Sequence, residues 1–168
     1  MSKIELKDNK SLKLINVVYR EFPINTFKEI GKYIQMMVNW IKSNKTDVMG
    51  PVIVHTYISN NDESRIGARL IMQTKIKINK VDTLYKEVDE VKVSNCLYTH
   101  YDGPKEKSQF GSEKIFIYAF ENGIELTSET YSVFLKETET DLAVDYFVPK
   151  KDSHAKRWYP KNSIISWL

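Results

Sequence analysis

The sequence predicts an α+β protein of two tandem β-α-β-β repeats with antiparallel strands, and three observations predict it. Strand and helix signals run twice in the same order within 168 residues. Val17-Val18-Tyr19-Arg20-Glu21-Phe22 aligns with Cys96-Leu97-Tyr98-Thr99-His100-Tyr101 at an offset of 79, and Trp40 and Asn44 meet Tyr118 and Asn122 at an offset of 78. One slightly longer loop produces that one-residue change. Finally, 42% of the residues are hydrophobic, enough for a buried core at this length, and the 28% that are charged are spread along the chain. One domain follows, with repeat one over about 12–78, a charged connector over 79–90, repeat two over about 91–150 and a tail over 151–168.

The elements come in order. Leu12 to Phe22 is rich in β-branched and aromatic residues and closes at Pro23, which reads as a strand. Thr26-Phe-Lys-Glu29 has the form of a capping box. Phe27, Ile30, Ile34, Met37 and Ile41 then mark one face of a helix, with Tyr33, Met36 and Trp40 beside it, fading at Ser43-Asn44. After Gly50-Pro51, strands are expected over Val52–Ser59 and Arg65–Ile78, joined by the polar loop 60–64. In the second half, Val91–Tyr101 is a strand ended by Asp102-Gly-Pro104. Ser112–Asn122 is a helix, with Gly123 as its left-handed cap. Thr130–Lys136 and Leu142–Pro149 are the closing strands.

Composition narrows the function. A formal charge of +3, from 25 basic and 22 acidic residues, is too small for the electrostatic footprint of a dedicated nucleic-acid binder. The N-terminus has no apolar signal core, and no apolar run reaches the roughly 18 residues of a membrane span. Cys96 is the single cysteine, which excludes an intrachain disulfide and fits a reducing compartment. The expectation is a cytoplasmic protein that engages neither nucleic acid nor membrane.

Val93-Ser-Asn-Cys-Leu-Tyr-Thr-His-Tyr-Asp-Gly-Pro104 resembles the strand and Gly-Pro turn of the gyrase-inhibitor-like (GyrI-like) bacterial effector-binding family. Tyr118-Ala-Phe-Glu-Asn-Gly-Ile-Glu-Leu126 is similar to its helix end and Glu-Asn-Gly turn. Thr130–Leu135 and Asp145-Tyr-Phe-Val-Pro149 resemble its last strands. The resemblance covers about sixty residues closely, and the first half only through the repeat. It implies a pseudo-twofold pair of units with both helices on one side and a concave groove on the other. It also implies that amphipathic or cationic small molecules enter that groove, with a closing-strand carboxylate as anchor. Asp145 takes that place, one methylene shorter than the family's usual Glu. Many relatives carry a helix-turn-helix domain ahead of this unit. Only about eleven residues precede the first strand here, so the resemblance is to a stand-alone member. Some stand-alone proteins of this kind resemble accessory or chaperone partners of type VII secretion.

The candidate ligand residues are Tyr19, Glu21, Phe22, Trp40, Tyr98, His100, Tyr101, Tyr118, Asp145 and Tyr146. Aromatic walls hold cations, and a buried tyrosine hydroxyl needs a hydrogen-bond partner, although each ring could equally fill the core. His55, His100 and His154 lie on separate segments without metal-ligand spacing, Cys96 reads as a buried inert thiol, and six glycines leave no phosphate loop. No cofactor is expected. Glu21 is the one plausible second carboxylate for acid–base work with Asp145. In the tail, Trp158, Tyr159, Ile164, Ile165, Trp167 and Leu168 either pack back onto the sheet or dock a partner, including a second copy. The leading expectation is a non-catalytic accessory or chaperone-like protein holding a protein client by groove rim and tail. The alternatives are a sensor of cationic ligands and a hydrolase of strained electrophiles.

Overall fold

The computed structural model describes residues 3–58 and 66–151. Along the chain come β1 (Leu6–Pro23), α1 (Ile30–Ser43), β2 (Val48–Ile58), β3 (Ile66–Thr74), β4 (Lys86–Pro104), α2 (Gln109–Glu121), β5 (Thr130–Glu137) and β6 (Asp141–Pro149). Each strand pairs antiparallel with its neighbours in the order β1-β3-β2-β5-β6-β4, and β4 pairs back to β1. The sheet is therefore a closed barrel. Exchanging β1 with β4, β2 with β5 and β3 with β6 leaves the order unchanged.

Closure is the main departure from the open, grooved sheets expected, and it follows from strand length. β1 and β4 have 18 and 19 residues, enough for each to pair both within its own half and with the other. Leu12, Leu14 and Val17 stand opposite Val93, Val91 and Val88. These join Tyr19, Ile53, Ile71, Cys96, Tyr131, Val133 and Phe147 in one core cluster drawn from all six strands. The inner face of the barrel is thus filled by the protein's own side chains rather than left as a hollow.

Pairing also moves strand boundaries. β2 begins at Val48, ahead of the turn expected at Gly50-Pro51, because Val48 and Met49 pair with Thr74 and Gln73, and β3 ends at Thr74 rather than Ile78. β1 begins at Leu6, within a polar run of low strand propensity, because Leu6 and Lys7 pair with Thr99 and Tyr98 of β4. β4 begins at Lys86, inside the stretch read as connector, where Tyr85 and Val88 are buried in the core while Lys86, Asp89 and Glu90 are exposed. Both long strands change face midway. Asn16 (φ 47°) and Asn95 (φ 60°) adopt the left-handed conformation that asparagine tolerates, so the inward set shifts from Leu12 and Leu14 to Val17 and Tyr19, and from Val91 and Val93 to Cys96 and Tyr98.

The helices cover the outer face. Met37 and Ile41 of α1 are fully buried against Val18, Phe22, Leu70 and Met72. Phe27, expected on that stripe, is instead exposed in the short 3-10 turn before the helix. The capping box does not form, because α1 starts only at Ile30; Thr26 Oγ1 donates instead to the Pro23 carbonyl at 2.6 Å. At the end of α2, Gly123 (φ 63°) is the left-handed cap, and the Ile124 N–H closes the turn on the Ala119 carbonyl at 2.8 Å.

Gly111 sets how closely α2 approaches the sheet. A Cβ there would lie 2.6 Å from Tyr146 Cε2 and 3.3 Å from Tyr101 Cβ, while the Gly111 carbonyl accepts a 2.7 Å bond from Thr99 Oγ1. Gly111→Ala is expected to lower stability by about 1–3 kcal/mol, as overpacking does. Urea denaturation measures it, and an unchanged midpoint would mean that α2 yields freely at this contact.

Candidate functional site

Cross-strand register puts two polar groups among the inward-facing side chains. In the second half, His100 of β4 stands opposite Asp145 of β6, and Tyr98 stands opposite Phe147. The Tyr98 hydroxyl donates to Asp145 Oδ1 at 2.9 Å, and His100 Nδ1 reaches the same oxygen at 2.7 Å. A carboxylate only accepts, so Nδ1 carries the hydrogen and Nε2 is the outward nitrogen. Both bonds fall on Oδ1, and Oδ2 takes part in neither. The Asp145 side chain is 18% exposed and that of His100 46%, which places the pair at the rim of the barrel. The Tyr98 and Phe147 rings, 5.0 Å apart, form the apolar wall beside it. Burial, then the bond to Asp145 and its charge, push the Tyr98 phenol up to about 12, so it remains a donor at neutral pH.

In the first half, Arg69 of β3 stands opposite both Glu21 of β1 and His55 of β2. Arg69 Nε and Nη2 reach Glu21 Oε1 at 3.2 and 3.1 Å, and the Tyr57 hydroxyl donates to the same oxygen at 2.9 Å. The Tyr57 ring lies 4.2 Å from the guanidinium, over Gly67, whose missing Cβ leaves room for it. Glu21 is thereby neutralised by a cation, whereas Asp145 is held by a hydroxyl and an imidazole.

Behind Arg69 the network runs inward. Its Nη1 is 3.5 Å from His55 Nδ1; arginine only donates, so that nitrogen presents its lone pair and the hydrogen sits on Nε2, 3.3 Å from Glu129 Oε1. The imidazole stacks on Tyr131 with centroids 4.1 Å apart and planes 4° from parallel. Burial holds the His55 imidazole below its ordinary value, the Glu129 carboxylate offsets this in part, and the Arg69 charge adds to the lowering. The Tyr131 hydroxyl is fully buried and has no hydrogen-bond partner among the described residues.

The candidate residues divide between the two faces of the sheet. Tyr19, Glu21, Tyr98, His100 and Asp145 point inward. Phe22 packs on Tyr33 of α1 at 5.8 Å, and Tyr101 and Tyr146 pack on Gly111 of α2, all three on the outer face. Strand alternation dictates this, since Glu21–Phe22, His100–Tyr101 and Asp145–Tyr146 are consecutive residues. Trp40 lies against Tyr85 at 4.7 Å and donates to Asp82 at 3.2 Å, while Tyr118 joins the α2 cluster. Neither reaches the Asp145 group. Trp158, Tyr159, Ile164, Ile165, Trp167, Leu168 and His154 lie outside the described residues. Sequence reasoning missed Arg69, Tyr57, Glu129 and Tyr131; a lone arginine in an otherwise apolar strand was the one available signal. Burial pushes the Cys96 thiol up to about 12, far from thiolate formation at neutral pH. Among the described residues no group of three or more His, Cys, Asp and Glu side chains is placed to hold a metal ion, and no helix is long and apolar enough to cross a membrane.

Two stability measurements follow. Because the folded His55 resists protonation while the unfolded chain takes a proton near the ordinary value of about 6.5, unfolding free energy should fall as pH drops below about 6.5. His55→Gln should flatten that slope in urea titrations between pH 8 and pH 5.5; an unaltered slope would assign it to other groups. Tyr131→Phe removes a buried hydroxyl that has no partner to lose, so stability should stay level or rise by up to about 1 kcal/mol. A loss larger than that would reveal a partner for the hydroxyl.

No family model matches the sequence, and no curated protein matches it. Among solved structures, the EcmrR C-terminal domain is similar with a TM-score of 0.58 at 10% identity, over 89% of this chain and 98% of that one. A hydrolase from Listeria innocua is similar with a TM-score of 0.55 at 12% identity, over 89% of this chain and 92% of that one. Likeness at such identities speaks of fold: the chain shares the α+β fold of these proteins, consistent with the gyrase-inhibitor-like fold that its second half resembles.

Proposed function

We propose that the chain is a non-catalytic binding module in which Asp145 anchors a small amphipathic cation against Tyr98 and Phe147. The observation that carries this is the way Asp145 is held. Two donors converge on Oδ1 and fix the carboxylate, and among the described residues no Lys or Arg is paired with it. A partly buried carboxylate without a Lys or Arg partner favours a cation from outside. The neighbouring rings add about 0.5–2 kcal/mol for each good cation–π contact. Glu21, which aligns with His100, is already paired with Arg69 and offers no such anchor.

The same observations support reading the halves as repeats of one unit. The strand order is unchanged on exchanging them, Asn16 and Asn95 share a left-handed backbone at the offset of 79, and the cross-strand pair Glu21–Arg69 corresponds to His100–Asp145. The protein-client reading rests on tail residues outside those described. The fold neighbours lend no support to it, to a dimer through the tail, or to a link with type VII secretion.

One observation favours an enzymatic second reading. Asp145 holds His100 by Nδ1 with Nε2 turned outward on a half-exposed ring, the arrangement of a general-base pair, and a hydrolase from Listeria innocua shares the fold. In that reading water gives its proton to Nε2 while its oxygen adds to the electrophile. The earlier candidate pair, Asp145 with Glu21, is not favoured, since Glu21 is engaged with Arg69 and Tyr57.

Calorimetric titration with crystal violet, an amphipathic aromatic cation, separates these readings. Asp145→Asn should weaken binding about tenfold, or about 1.4 kcal/mol. His100→Asn keeps an N–H donor for Oδ1 and removes the outward nitrogen, so binding should change less than about twofold, about 0.4 kcal/mol. Equal affinities for the native and Asp145→Asn chains would contradict the proposal. Hydrolysis of p-nitrophenyl acetate above background, lost in His100→Asn, would carry the second reading instead.

A further inference from the structure

The outer face of α2 carries an aromatic stripe that no described residue covers. Ile115, Ala119 and Gly111 face the sheet, while Phe110, Phe116, Ile117 and Phe120 are 40%, 47%, 58% and 88% exposed. At 100° per residue these four fall within one arc of the helix, with Glu113 among them and Glu121 at its end. An amphipathic surface helix would have polar residues there; this one is apolar on both faces. A contiguous stripe of that kind marks an interaction surface.

The chain's own course indicates what covers it. Leu126 bridges Lys150 antiparallel, the Lys151 N–H donates to the Glu125 carbonyl at 2.8 Å, and Lys151 Nζ lies 3.9 Å from the Glu125 carboxylate. At Lys151 the described chain is directed against 124–126, and Gly123 and the last turn of α2, with Phe120, lie in that direction. Seventeen residues follow Lys151, and extended they span up to about 55 Å, against about 20 Å for the thirteen-residue helix. Their composition complements the stripe. Trp158, Tyr159, Ile164, Ile165, Trp167 and Leu168 supply apolar partners, and Lys156, Arg157 and Lys161 supply cations for Glu113, Glu121 and the phenylalanine faces.

We propose that residues 152–168 dock in cis on the Phe110–Phe116–Ile117–Phe120 face of α2. The tail then belongs to the domain's own surface rather than to a client-capturing device, and the proposal does not depend on the Asp145 site.

Trp158 and Trp167 report on it directly. Their emission is isolated by subtracting the spectrum of the Trp158→Phe/Trp167→Phe chain from that of the native full-length chain, and acrylamide quenching is compared with N-acetyltryptophanamide. Docking predicts blue-shifted, weakly quenched emission that does not vary with protein concentration. Phe116→Asp/Phe120→Asp should abolish both properties with far-UV circular dichroism unchanged, whereas Phe27→Asp, on the exposed turn before α1, should leave them intact. Free-indole emission in the native chain would overturn the proposal, as would insensitivity to the α2 substitutions. Concentration-dependent emission with a dimer mass by light scattering would also overturn it, assigning the face to a second copy.

Discussion

The antiparallel pairing of β1 with β4 is the constraint on which the rest of the structure depends. Each strand spends part of its length in its own half and part against the other, so the two halves share one interior instead of facing each other across a gap. The pairing is possible because Asn16 and Asn95 turn the backbone left-handed at equivalent points, letting a strand change which residues it sends inward without leaving the sheet. Without those two changes of face, Val17, Tyr19, Cys96 and Tyr98 would point away from the core that Leu12, Leu14, Val91 and Val93 begin.

Once the interior is closed, polar chemistry is confined to its rim and to the network beneath it. The two halves hold their rim carboxylates differently. Arg69 against Glu21 makes a charge-assisted pair that ties β1 to β3 and, through His55 and Glu129, to the segment leading into β5. Those groups satisfy one another and read as architecture. At the other rim, among the described residues, Asp145 is held by Tyr98 and His100, which position it. The proposed anchoring role of Asp145 rests on this contrast between a carboxylate paired with arginine and one held by a hydroxyl and an imidazole.

Much of the architecture is legible in the amino-acid order, and the parts that are not share a cause. The Met37–Ile41 stripe, the Gly123 cap and the strand cores at 17–22 and 96–101 are local patterns, and each is where period and turn chemistry put it. The polar start of β1 at Leu6 and the charged start of β4 at Lys86 are strands only because a distant partner pairs with them. Barrel closure is equally non-local. Of the candidate site, Asp145, His100 and Tyr98 are brought together by the β4–β6 register. Phe22, Tyr101 and Tyr146 are not, because adjacent aromatic residues in a strand cannot share a face. Glu129 and Tyr131 were out of reach for another reason: nothing in their own segment shows that His55, seventy-odd residues earlier, lies between Arg69 and this pair.

If the charge at Asp145 is what selects a ligand, charge on the ligand must matter when shape does not change much. The direct measurement compares the native chain's affinity for crystal violet with that for its neutral leuco form at one pH and ionic strength. The account predicts that the cation binds more tightly by about tenfold, corresponding to about 1.4 kcal/mol. Equal affinity for the two forms, or preference for the neutral one, would contradict it.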